Sequence, residues 1–491
     1  MYLQHLYPNP VSLNYGEENF CFGTEVVMET DADLSIDESK RLQALLYQFT
    51  CTASQLKISE SKTKRAGEVH AVLKRKEPFS DVRNRVLEKG WQYSIDITSD
   101  NIYISAEDKK ALFYAFTTLL QMVIPKSLKE GEELFYIREG TVKDKAATAF
   151  RGLHLCVFPE TPPSLLKKAV RMAGFLKFTH IILEFWGTFP YRCCPEMAWK
   201  DRAYSRDTII ELVSEIRSFG MEVVPMINHL GHASQSRIGM GRHTVLDQAP
   251  RYGLLFEPDG WTWCITNPDT WKLLSELREE LIEICGNGQY FHLGFDEAYS
   301  YATCQKCSEG KDEARLLAEY INRLTEDLAK KGRRPIIWHD ELISSKDWPE
   351  KTVANGDRLH QTADALDWID KRVILADWQY DLTSGDMPTS KYFMEKGFDV
   401  ILCPWDNAEN MNCLCNSTKQ LGAMGTLFTT WDTLPGCIPL MPGMSSMAWE
   451  EKLRDKAPVI PRTEAAAILR KLTTDLSGYE NAGWLRAEVD E

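Results

Sequence analysis

The sequence predicts an α/β protein in which a (β/α)8 TIM barrel follows a small α/β (α+β) domain, and three observations carry that reading. From Phe150 onward, short apolar strands alternate with segments of helical periodicity, the rhythm of parallel β/α architecture. Eight such units fit into about 300 residues, which suits a closed barrel better than an open doubly wound sheet. Upstream the rhythm differs, with period-two strands joined by a short turn. With 491 residues and 44% hydrophobic content, the chain can bury more than one core.

Three domains are expected: 1–145, 146–462 for the barrel, and a helical tail over 463–491 packed on the barrel flank. In the first, residues 91–97 and 101–105 alternate around a Thr-Ser-Asp turn and read as a hairpin. A helix follows, with Leu112, Phe113, Phe116, Leu119 and Leu120 on the face that should meet the sheet. Residues 126–145, rich in Lys and Glu with few apolar runs, read as the boundary. Barrel strands are expected at 150–157, 180–185, 222–227, 290–294, 335–338, 373–376, 400–403 and 426–431. Helices are expected between most of them, as at 164–176, 207–219, 270–285 and 312–331.

Charge and cysteine usage narrow the partners. Lys and Arg total 57 against 71 Asp and Glu, a net charge of -14 that disfavours nucleic acid and is indifferent to a neutral sugar. No window is apolar enough for a membrane span, and no export signal is legible, so a soluble cytoplasmic protein is expected. The 13 cysteines, odd in number and scattered through apolar strands, read as reduced thiols. Cys304-Gln-Lys-Cys307 has the spacing of half a zinc site that Cys413-Leu-Cys415 could complete; the plainer reading is free thiols beside a loop. No metal and no cofactor are expected.

In a barrel of this kind, chemistry sits at the C-terminal ends of the strands. The eight units supply Arg151, then Glu184-Phe-Trp186, Asn228-His229-Leu-Gly-His232 and Asp296-Glu297. They continue with Trp338-His-Asp340, Asp377-Trp378-Gln-Tyr380, Trp405-Asp406-Asn407 and Trp431-Asp432. Aromatic faces beside carboxylates suit a sugar ring, apolar on its faces and polar at its edges. In Phe291-His-Leu-Gly-Phe-Asp296-Glu297, strand alternation sends His292, Gly294 and Asp296 to one face and the bulky residues to the other. Two adjacent carboxylates repel, so one should hold a proton near neutral pH, as a general acid must.

His292-Leu-Gly-Phe-Asp296-Glu297 resembles the His-x-Gly-x-Asp-Glu signature of glycoside hydrolase family 20, the β-N-acetylhexosaminidases. Arg151-Gly152, Phe189-Pro190-Tyr191, Gly231-His232 and the late tryptophans are similar too, as are Ile102-Tyr-Ile-Ser-Ala and 113–121 of the first domain. The Cys pair behind the motif resembles the cytoplasmic hexosaminidase D-like branch. The resemblance implies an exo-acting, retaining enzyme on terminal N-acetylhexosamine of an oligosaccharide or glycoconjugate, whose nucleophile is the substrate's own acetamido oxygen. By it, Asp296 steers the acetamido group, Glu297 is the general acid and base, and His232 supports Glu297. Arg151 grips hydroxyls, Trp338, Trp378 and Trp431 enclose the sugar, and Asp432 clamps the distal hydroxyls; Trp405 and Asp406, at the seventh strand's end, are further expected substrate contacts.

The chain departs from the family's pattern in places. Cys156 stands where an Asp is common, Trp186-Gly187 replaces acidic residues, and Asp406 follows Trp405 where a Tyr is usual. Tyr380 is the expected substitute for that Tyr, as the group binding the acetamido carbonyl. Two rival readings are a barrel glycosidase with separated carboxylates, such as Glu184 with Glu297, and a catalytically silent carbohydrate-binding barrel.

Overall fold

The structure is a computed structural model, and it describes residues 5–473 except 52, 62–67, 74–81, 83, 127–132, 234–243 and 310. The first domain is built on one sheet formed by β1 (Ser12–Phe22), β2 (Glu25–Thr30), β3 (Gln55–Glu60), β4 (Val69–Leu73), β5 (Tyr93–Ile97), β6 (Ile102–Ala106), β7 (Ile124–Pro125) and β8 (Phe135–Asp144). Its strand order is β1-β8-β5-β6-β4-β2-β3, with β7 on β8. The expected hairpin is present as the antiparallel β5–β6 pair. Residues 135–144, expected as a linker, are instead a strand paired with both β1 and β5. Its Arg, Glu and Lys side chains separate two short alternations of opposite phase, Phe135 and Ile137 and then Val142 and Asp144, which are the buried positions.

Two helices cover this sheet. α1 (Ile36–Phe49) opens on a capping box between Ser35 and Glu38, which satisfies two amides that a helix start leaves free. α2 (Lys109–Gln121), capped by Asp108, is buried from Ala111 to Gln121 and so has no solvent face. The reason is its position between sheet and barrel: Phe113 meets Phe219 edge-on at 5.7 Å, and Tyr114 meets Trp449 at 5.2 Å.

The barrel is closed, with β9 (Phe150–Val157), β10 (His180–Phe185), β11 (Glu222–Met226), β12 (Tyr290–His292), β13 (Arg334–Trp338), β14 (Ile374–Asp377), β15 (Asp399–Leu402) and β16 (Gly425–Phe428) each parallel to the next, and β16 returning to β9. Every strand lies where the apolar runs predict one. Phe150, Ile182, Val224, Ile336, Ile374, Ile401 and Leu427 fill the interior as a packed core rather than a channel. Outside lie α3 (Pro163–Phe175), α4 (Arg206–Ser218), α5 (Pro268–Cys285), α6 (Glu313–Ala329), α7 (Pro388–Glu395), α8 (Ala408–Leu421) and α9 (Met441–Trp449). The tail contains α10 (Arg462–Thr473), anchored through Lys471 Nζ on Phe49 O at 2.9 Å and Leu472 O on Arg171 at 3.3 Å; the remainder of 463–491 lies outside the described residues. It therefore touches the first domain as well as the barrel.

Arg151 does not reach the barrel mouth. It is the second residue of its eight-residue strand, so it sits at the N-terminal rim, opposite the end where the loops gather. There its guanidinium donates to Lys177 O at 3.0 Å, to Thr148 O and to the Tyr114 hydroxyl at 3.2 Å, and stacks over Trp449 at 4.8 Å. Beside it Lys177 pairs with Asp144 at 3.1 Å, both fully buried, and Trp449 Nε1 donates to the same carboxylate at 3.0 Å. Replacing Arg151 with Met should lower stability by about 3 kcal/mol by leaving buried acceptors unpaired, while KM of the remaining folded protein stays unchanged. Thermal melting and steady-state kinetics on the same preparation check this; a raised KM with normal stability would return Arg151 to the substrate.

Candidate active site

The carboxylate pair owes its place to an abrupt change in backbone after β12. Leu293 and Gly294 continue to bond β13, through Leu293 N to Ile336 O and Trp338 N to Gly294 O, both at 2.8 Å. The chain then turns, with positive φ at Gly294 (72°), Phe295 (88°) and Glu297 (48°). Left-handed φ in two non-glycine residues this close is costly and needs support from its surroundings. Support comes from Glu297 N donating to Asp340 Oδ2 at 2.9 Å and Ala298 N to Glu341 Oε1 at 2.8 Å. The predicted alternation holds, for Phe295 packs inward among the helices while Asp296, 6% exposed, faces the mouth.

Two glycines permit the neighbouring loop to close over this turn. A Cβ on Gly231 would stand 2.0 Å from Asp296 O, and one on Gly294 would stand 1.8 Å from Asn228 Oδ1. That approach brings His232 between the two acids, its Nε2 lying 3.4 Å from Asp296 Oδ2 and 3.2 Å from Glu297 Oε2. Trp261 Nε1 donates to Glu297 O at 2.6 Å, and its ring lies 4.6 Å from His232. The Trp186 ring lies 5.4 Å from the same imidazole.

The charges divide unevenly. Burial raises Asp296 to about 6 against the opposing pull of His232, and the nearby acids Asp340 and Glu297 add to the rise. For His232, burial would lower the pKa, but Asp296 and Glu297 outweigh it and lift the imidazole to about 10. Burial also raises Glu297, yet hydrogen bonds from His232 and Tyr299, with the charge of Arg358, bring it below the usual carboxylate value. The expectation that the general acid holds a proton near neutral pH is not met: the raised carboxyl is Asp296, the more deeply buried of the two, and Glu297 is lowered.

Aromatic rings wall the rest of the mouth. Trp338 lies against His292 at 4.4 Å and Trp431 at 5.9 Å, and Trp378 Nε1 donates to Asp340 Oδ1 at 3.3 Å. Tyr380 sits 5.1 Å from Trp378 and 5.4 Å from Trp405. Trp431 Nε1 at 2.9 Å and the Thr429 hydroxyl at 3.2 Å both donate to the Tyr380 hydroxyl, so its own proton is left to point into the mouth. Trp405 Nε1 is held by Thr433 at 2.9 Å, and Asp406 and Asp432 lie exposed at the rim. Asp296 Oδ1, Trp338 Nε1, Trp186 Nε1 and His232 Nδ1 are buried without a protein partner. Buried polar atoms are seldom left so, and this concentration marks where a polar ligand fits.

The structure thus brings together Asp296, Glu297, His232, Trp338, Trp378, Tyr380, Trp405 and Trp431, places Asp406 and Asp432 at the edge, and leaves out Arg151. Trp186 and Asp340, named above at their strand ends, join them together with Trp261, Tyr299 and Arg358, the last stacked over Tyr299 at 3.8 Å. Tyr299 and Arg358, which the sequence reading missed, lie in loops with no periodic signal. Volume alone does not locate the site: a cavity of about 980 Å3 lies between α1, α3 and α4, lined by Lys40, Arg171 and Glu211 among others.

The catalytic-domain model of glycosyl hydrolase family 20 matches residues 186–467, and the model of that family's domain 2 matches 3–145. The chain belongs to glycosyl hydrolase family 20. A probable beta-hexosaminidase of Arthroderma benhamiae is 26% identical over 349 residues, 65% of this chain and 52% of that protein. The family 20 chain thus spans about half the length of the curated relatives it first matches. The fold is shared with a beta-N-acetylhexosaminidase from Bacteroides fragilis, with TM-score 0.64 and 16% identity over 99% of this chain and 96% of that one. A chitobiase from Flavobacterium johnsoniae has TM-score 0.66 and 16% identity over 95% and 72%.

Substituting Ala at Gly231 tests the geometry without removing a functional group. The methyl group must push Asp296 O away, so turnover of any substrate of this site should fall at least about tenfold with secondary structure unchanged. Kinetics beside far-ultraviolet circular dichroism check it; full activity would mean the two loops need not touch.

Proposed function

We propose that this family 20 chain is an exo-acting, retaining β-N-acetylhexosaminidase that removes terminal β-linked GlcNAc or GalNAc through substrate assistance. The observation that carries the reading is the sharing of one imidazole by two adjacent carboxylates inside an aromatic mouth. The names of its relatives, beta-hexosaminidases among them, agree with it.

The reaction would use these groups as follows. Trp338, Trp378 and Trp431 enclose the acetamido group and ring, and the Tyr380 hydroxyl donates to the acetamido carbonyl. Asp296 accepts the acetamido N–H as the carbonyl oxygen attacks the anomeric carbon and an oxazolinium forms. Glu297 protonates the departing glycosidic oxygen, then takes a proton from the water that opens the intermediate. With Glu297 lowered in the free protein, its proton must come from a neighbour, and the His232 imidazolium at 3.2 Å is placed to supply it once substrate excludes water. The separated-acid alternative is disfavoured because both oxygens of Glu184 are engaged, by His154 at 2.9 Å and Asn228 at 2.7 Å. A mere binding site has no need of two crowded acids, one of them held at positive φ.

Aryl glycosides with and without the 2-acetamido group test the proposal. Turnover should require that group, a thiazoline mimic of the cyclic intermediate should inhibit, and Glu297→Gln should lower kcat by about 10²- to 10⁴-fold. Equal turnover of substrates lacking the acetamido group, or an unaffected Glu297→Gln, would overturn it.

Activity should also depend on pH in a defined sense. Asp296 must be ionised, so kcat/KM should fall on the acid side with an apparent pKa of about 6 belonging to the coupled group. The charge of His232 lowers Asp296, so His232→Phe should move that acid limb to higher pH. An acid limb that stays in place in this variant would show that the imidazole does not act on Asp296.

A further inference from the structure

We propose that the loops after β11 and β12 are clipped together by a tetrahedral zinc ion held by Cys264, Cys304, Cys307 and Glu257. These four residues each bring one ligand atom within 4.8 Å of the others, and three of them are buried. Cys264 Sγ stands 3.6 Å from Cys304 Sγ and 3.7 Å from Cys307 Sγ, and Cys304 Sγ stands 3.7 Å from Glu257 Oε1. A zinc tetrahedron with metal–sulfur bonds of ~2.3 Å has sulfur–sulfur edges of ~3.8 Å, so these separations are those of a ligand set closing around one point. They are far too long for a disulfide, which would bring two sulfurs to about 2 Å.

The carboxylate is already oriented for the task. Glu257 Oε2 accepts the Cys304 amide at 2.6 Å and the Thr303 hydroxyl at 3.3 Å, which turns Oε1 toward the thiols. Thr266 Oγ1, 3.1 Å from Cys307 Sγ, offers a hydrogen bond to a thiolate. Binding would release the three thiol protons to solvent as three zinc–sulfur bonds and one zinc–oxygen bond form, with no change in oxidation state. Four protein ligands would fill the tetrahedron, so the ion would have a structural role. Cys413 and Cys415, the partners that spacing made conceivable for Cys304 and Cys307, are on α8 and take no part; Cys413 Sγ lies 3.4 Å from Gly385 O.

What the clip would hold is the side of the mouth that carries the acids. Glu257 and Cys264 flank the turn that presents Trp261, braced by Glu257 N to Thr262 O at 2.7 Å and by the Phe256–Trp263 bridge. Cys304 and Cys307 follow Asp296, Glu297 and Tyr299 on the next loop. Trp261 crosses between the two loops, donating to Glu297 O and lying parallel to the Tyr299 ring with centroids 6.0 Å apart. The metal residues are therefore positioning residues.

Elemental analysis of the whole chain, purified under reducing conditions without a metal-affinity step, should find about one zinc per molecule. Cys304→Ser and Cys307→Ser should reduce that to about a tenth or less, while Cys413→Ser keeps it. Should the ligand variants fail to fold, cobalt loading of the wild type provides the same answer: tetrahedral thiolate ligation gives intense visible bands and a sulfur-to-metal charge-transfer band. Wild-type protein that takes up no zinc from a reducing zinc buffer, a weak octahedral cobalt spectrum, or a disulfide among these cysteines in protein freshly isolated from a reducing cytosol would each overturn the proposal.

Discussion

The contact between His232 and the two acids sets the terms for the rest of the mouth. One imidazolium facing two carboxylates needs three side chains from two loops to converge within hydrogen-bonding distance, with little water to screen them. That convergence explains the concentration of unusual backbone there: positive φ at His232 (52°), Phe295, Glu297 and Trp431 (39°), and two glycines whose Cβ positions are already taken by neighbouring atoms. Each feature is unfavourable alone and is retained because the packing around it leaves no other arrangement. The rows of amide and indole donors around Asp340, Glu341 and Glu297 O are what make the turn affordable.

Much of this was legible before any coordinates. The barrel strands are short apolar runs separated by helical periods, and a fully buried parallel strand leaves few other readings. Asp296 and Glu297 were legible because they stand at the strand end where a barrel carries its chemistry and complete the His292-Leu-Gly-Phe-Asp296-Glu297 motif. Residues 135–144 were missed because the buried alternation changes phase between Ile137 and Val142, with charged residues in the gap, so no single period runs through the strand. Arg151 was misplaced for a different reason: position within a strand decides which rim a side chain serves, and Arg151 begins its strand whereas Asp296 follows one. Cys264 and Glu257 carry no spacing signal at all, since only the folding of two loops brings them to Cys304 and Cys307, some forty residues away.

The two rims of the barrel show opposite solutions to burying polar groups. At the N-terminal rim, Arg151, Lys177, Asp144, Tyr93 and Trp449 form a buried network in which each charge meets its counterpart or a carbonyl, and it joins the first domain to the barrel. At the other rim, Asp296 Oδ1, Trp338 Nε1 and His232 Nδ1 remain without protein partners. A satisfied network contributes stability and an unsatisfied one subtracts it, so the second is tolerated only where a ligand completes it. The same logic accounts for the position of α2 between the sheet and the barrel, since Tyr114 supplies the hydroxyl that finishes the Arg151 network. On this view the first domain acts on the mouth only by keeping the lower rim rigid, because a barrel whose strands could shift at one end could not hold three side chains to within hydrogen-bonding distance at the other.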